Sequence, residues 1–172
     1  ASPTPTVSQG MVAPGRSAIY RDRLYLANGR DAQNRMQVEI FNVATPTAPV
    51  RVGAITGTDQ GVGEAAGDVQ VFGSRLLVVT RGGFKVYSLA NPDAPSFVTQ
   101  ASTGFLTVGG TMSGRYVYTA GGGLAIHDTA MAASPQLLAF HQFAVDGTNV
   151  LTMGNMVLLS NMFRETQAIR LR

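Results

Sequence analysis

The stretch GGGLAIHDTAMAASPQLL, from Gly121 to Leu138, sets a glycine-rich turn, a short apolar run, a polar break and a proline in that order. The same order returns in GGFKVYSLANPDAPSFV, Gly82 to Val98, and more loosely in QVEIFNVATPTAPVRV, Gln37 to Val52. A motif that recurs along a chain marks a supersecondary unit that buries its apolar face against the next copy.

The period is clearest on the run preceding each motif. Arg75 to Thr80, Arg115 to Ala120 and Asn155 to Ser160 stand 40 residues apart, and an earlier copy, Arg23 to Asn28, lies 52 residues before Arg75. The extra length falls in the hairpin loop NGRDAQNRMQ and in the insertion GTDQGVGEAAGD, Gly57 to Asp68. Each unit reads as four short strands. The first ends at a turn: Val69 to Phe72 before Gly73-Ser74, Thr107 to Thr111 before Ser113-Gly114, Asn149 to Met153 before Gly154-Asn155. The aligned apolar run is the second. A hairpin through Gly82-Gly83 or Gly121-Gly122-Gly123 leads to the third: Val38 to Phe41, Phe84 to Tyr87, Leu124 to His127 and Ala168 to Leu171. Pro49, Pro95 and Pro135 then open the outer strands Val50 to Ile55, Ser96 to Gln100 and Gln136 to His141, and proline suits the first residue of an edge strand because no ladder donor is lost there.

Four-stranded units at this period are the blades of a β-propeller. The expected architecture is all-β: a single domain over residues 1–172, with repeat units at about 12–56, 67–103, 106–144 and 148–172, hence about four blades. The last unit reaches Arg172 without an outer strand. Pro3 to Gln9 reads like the other outer strands, so an N-terminal strand 3–9 is expected to close the ring without a free edge. The alternative is a fragment or half of a larger propeller, completed by a second copy as a homodimer.

Composition agrees with this class and narrows the function. Of the 172 residues, 45% are hydrophobic and only 13% charged, which excludes a disordered chain, while 20 glycines and 8 prolines interrupt it too often for long helices. The net charge of +3 comes from scattered arginines and the single lysine, Lys85, so the basic patch of a nucleic-acid binder is missing. With no cysteine there is no disulfide, thiolate metal site or cysteine nucleophile. No apolar run approaches the ~20 residues of a membrane helix, so no membrane span is expected. The opening ASPTPTVSQG resembles the start of a mature chain after cleavage at a small-residue site, which points to an exported protein, periplasmic or at the cell surface.

At its repeat residues the chain resembles the LVIVD-repeat proteins, β-propellers of bacterial and archaeal surface or exported proteins. Gly123-Leu124-Ala125-Ile126-His127-Asp128 with Pro135 fits that pattern best. Val86-Tyr87-Ser88-Leu89 with Pro92 and Pro95 keeps the proline pair but has Ser88 at the aspartate place, and Ile40-Phe41-Asn42-Val43 with Pro46 and Pro49 has Asn42 there. The last unit keeps only Ala168 to Leu171. The resemblance implies a fold and an exported location, and the family has no common chemistry to carry over.

Adjacent His127 and Asp128 point to opposite faces of a strand, so they are read as structural, with Asn42, Ser88 and Asp128 bonding the backbone of the exit loop. His141, on an outer strand, is not expected to join His127 in a metal site. Met112, Met153, Met156 and Met162 are expected to fill the core near the axis. The insertion carries Asp59, Glu64 and Asp68, a candidate set for Ca²⁺, which takes six to eight oxygen ligands, although the spacing of an EF-type loop is missing. Loops on a rigid scaffold carry binding residues, and Arg30, Asp31, Asn34, Arg35, Asp59, Glu64, Asp68 and Arg164 are the candidates. No catalytic residue is assigned. The expected function is a non-enzymatic scaffold for protein–protein interaction, without a cofactor, within a larger complex. The alternative is a metal-dependent hydrolase or carbohydrate-active propeller using the acidic loop 58–68.

Overall fold

The computed structural model describes residues 16–60, 65–142, 147–161 and 166–170, and every regular element in them is a β-strand. A first unit holds β1 (Ser17–Tyr20), β2 (Arg23–Arg30), β3 (Arg35–Asn42) and β4 (Val50–Gln60). The second holds β5 (Ala66–Phe72), β6 (Arg75–Thr80), β7 (Gly83–Ser88) and β8 (Ser96–Ser102). The third holds β9 (Thr107–Ser113), β10 (Tyr116–Gly121), β11 (Gly123–Asp128) and β12 (Gln136–Gln142), and the fourth β13 (Gly147–Met153), β14 (Met156–Asn161) and β15 (Thr166–Arg170). Within each unit, consecutive strands pair antiparallel. The first two units join in one eight-stranded sheet through a single bridge, Gly29 to Ala66; the others form sheets of four and three strands.

Two expected loops are corrected. The insertion 57–68 is largely strand, because β4 continues to Gln60 and β5 begins at Ala66. The hairpin loop 29–37 is strand on both sides of a short turn at 31–34. Residues 3–9, expected to close the ring, lie outside the described residues, as do Glu64, Met162 and Arg164.

Local chemistry repeats from unit to unit. The hairpin between first and second strands has a two-residue loop in all four, and its first residue is left-handed: φ 53° at Arg21, 56° at Gly73, 58° at Gly114 and 59° at Gly154. Glycine takes this conformation without a Cβ penalty, which is why three of the four turns are visible in sequence. At the end of the third strand, Asn42, Ser88 and Asp128 accept the amides of Ala44, Ala90 and Ala130 at 2.9, 3.3 and 2.8 Å, the role expected of them. The exit turns 45–48, 91–94 and 131–134 each close with one backbone hydrogen bond, at 2.9, 3.2 and 3.1 Å.

Side chains alternate across a strand, so each second strand serves two interfaces. Leu76 and Val78 of β6 pack with Tyr25, Val38 and Ile40 of the first unit. Leu77 and Val79, on its other face, pack with Phe84 and Val86 against Met112 and Val117 of the third unit. Tyr118, Ala120 and Leu124 of the third unit meet Val150, Val157 and Leu159 of the fourth. Full burial of one such aliphatic side chain contributes about 1.5–3 kcal/mol. These three clusters therefore hold neighbouring units together far more than the single bridge does. At Gly121 the chains approach so closely that a Cβ would overlap the carbonyl oxygen of Leu106.

Candidate binding surfaces

Four of the expected binding residues come together, but they bond one another. Asp31 Oδ1 accepts the amides of Gln33 at 3.0 Å and Arg35 at 2.8 Å, while Oδ2 takes Arg35 Nε at 2.8 Å. Arg30 Nη1 donates to Asn34 Oδ1 at 2.7 Å, and Asn34 is left-handed at φ 63°. The Arg35 side chain holds the Asp31 carboxyl below the usual carboxylate range. This cluster shapes the β2–β3 turn.

Of the expected acidic set, only Asp68 is among the residues whose side chains are described. Asp59 lies on β4, Glu64 and Arg164 fall outside the described residues, and Asp68, expected on a surface loop, is on β5 with 1% of its surface exposed. Among the described residues no three metal-ligating side chains cluster.

Asp68 instead belongs to a junction between units. Arg16, Asp68, Gly109 and Asn149 hold equivalent places, each five residues before the left-handed turn residue of its unit. Arg16 Nη1 lies 3.3 Å from Asp68 Oδ2 and donates to Asn149 Oδ1 at 3.2 Å, so a side chain at the head of the first unit touches both the second and the fourth. Gln70 Nε2 also donates to Asp68 Oδ2, at 3.2 Å. Burial pushes the Asp68 carboxyl up, and the Arg16 charge offsets part of that shift. Asp68 Oδ1 makes no well-formed hydrogen bond.

A second region is a groove of about 720 Å³ between the third and fourth units, lined by Tyr116, Tyr118, Leu138, Phe140, Ile169 and Arg170 among others. Its meaning comes from the equivalent places in the other interfaces. Between the first and second units, the Tyr25 hydroxyl donates to Pro92 O at 2.9 Å and Arg23 pairs with Asp93, both on the exit turn 91–94. Between the second and third, Thr99 Oγ1 donates to Ala132 O at 2.5 Å, on the exit turn 131–134. By strand register, Tyr118 is the counterpart of Tyr25, and Ala139 that of Thr99. Neither meets a turn among the described residues. β12 is exposed along its whole length, with Leu138 at 54% and Phe140 at 48%. Burial raises the Tyr25 hydroxyl pKa to about 12, and raises that of Tyr118 for the same reason.

The two histidines lie on different strands, β11 and β12. His127 is buried edge-on against Phe84, ring centroids 5.2 Å apart, and burial lowers its pKa. Asp128 caps its exit turn and pairs with Arg115 at 3.0 Å. His141 lies on exposed β12. Met112 is buried as expected, whereas Met153 is 66% exposed, a correction to its expected core role. Sequence reasoning missed both the Arg16 junction and the groove. The junction could have been found by counting back five residues from each turn.

No family model matches the chain, and no curated protein matches it. Solved structures do. The crystal structure of the computationally designed Ika4 protein is similar at a TM-score of 0.71, with 14% identity over 95% of both chains. The computationally designed Ika8 protein is similar at a TM-score of 0.69, with 13% identity over 92% of this chain and 46% of that one, so this chain spans about half of its length. At such identities the likeness concerns the fold alone.

Proposed function

We propose that the chain is a four-bladed β-propeller that serves as a non-enzymatic scaffold for protein–protein interaction, exported to the periplasm or cell surface, within a larger complex. The observation that carries the binding reading is the groove between the third and fourth units. It is apolar, aromatic-lined and of the size of binding cavities, in a chain whose described polar clusters bond internally.

The contact of Arg16 with Asn149 supports a ring in which the first and last units are neighbours. In this reading the free edge of β15 takes residues 3–9 as its outer strand. Pro5 precedes Thr6 to Gln9 as Pro49, Pro95 and Pro135 precede β4, β8 and β12. The resemblance to LVIVD repeats supports the exported location.

If residues 3–9 pair with β15 in the register of the other outer strands, Phe41 with Arg51, Tyr87 with Phe97 and His127 with Leu137, Val7 would stand beside Ile169. A Val7→Cys/Ile169→Cys variant should form an intramolecular disulfide in a chain that has no other cysteine, and light scattering should give a monomer. A disulfide-linked dimer would replace the closed ring with half of a larger one. The scaffold reading is tested by affinity capture from an extract of the source cells. A partner retained by the wild type should be lost by Leu138→Asp/Phe140→Asp, and no retained partner would count against the reading.

A further inference from the structure

We draw no further inference here: the strongest candidate, the exposed apolar patch of Leu137, Leu138 and Phe140 on the outer strand β12, carries none because nothing in the structure shows what covers it.

Discussion

Among the described residues, the interface between the first and second units has two layers and the one between the third and fourth has one. In both, an inner layer of alternating side chains is buried: Tyr25, Val38 and Ile40 against Leu76 and Val78 in the first case, Tyr118 and Leu124 against Val157 and Leu159 in the second. Only the first adds an outer layer, in which Tyr25 reaches Pro92 and Arg23 reaches Asp93. At the other interface the corresponding surface is groove. The inner layer is common to all three interfaces and carries the fold, while the outer layer varies and is where the chain has surface to offer a partner.

The largest effects should come from the inner layer. Leu77 occupies the place of Tyr25 and Tyr118 one unit along and is fully buried. Leu77→Ala should cost about 2–5 kcal/mol, the range for a buried aliphatic truncation, whereas Leu138→Ala in the groove should change stability by less than about 0.5 kcal/mol. Urea denaturation of both variants checks the contrast. Equal losses would mean that the groove wall is as structural as the core.

Next in size is the junction at Arg16. Its removal leaves Asp68 buried with only Gln70 donating a side-chain hydrogen bond. Because the guanidinium is half-exposed and partly screened, Arg16→Ala should cost about 1–2 kcal/mol, below the range for breaking a fully buried pair. Adding Asp68→Asn should recover part of the loss. No recovery would show that Arg16 acts through Asn149 rather than through charge.

How much of this was legible follows from the same two layers. The second strands and the caps at Asn42, Ser88 and Asp128 were readable because apolar alternation and short polar side chains act locally, whereas the alignment of Arg115 and Asn155 with Arg75 is one residue out, since Tyr116 and Met156 face the end of the first strand as Arg75 does. Asp68 was misplaced because its neighbourhood, rich in glycine and acids, looks like a solvated loop. Its burial depends on Arg16, 52 residues away in sequence. The groove has no local signature, since its walls come from strands of two different units.

A smaller, pH-dependent effect separates the buried ionisable groups. Burial lowers the pKa of His127 from the ordinary 6.5, so the folded protein binds fewer protons than the unfolded chain below that value. Its contribution is fully present above pH 6.5 and is lost as pH falls through the folded-state value. Asp68 has the opposite sign: raised above 3.8, its contribution is present below that value and is lost as pH rises through the folded-state value. Urea midpoints of the wild type should therefore fall between pH 7 and 5, and His127→Gln should flatten that slope. An unchanged slope would assign it to other groups.

The smallest effect compares the two equivalent tyrosines directly. Tyr25→Phe removes one hydrogen bond to Pro92 O in a part-buried site and should cost about 1 kcal/mol. Tyr118→Phe removes a hydroxyl with no hydrogen-bond partner among the described residues, so the free protein should lose nothing measurable. Melting temperatures of the two variants measure this. A Tyr118→Phe loss equal to that of Tyr25→Phe in the free protein would mean that its hydroxyl already has an acceptor, and the single-layered interface would in fact be double.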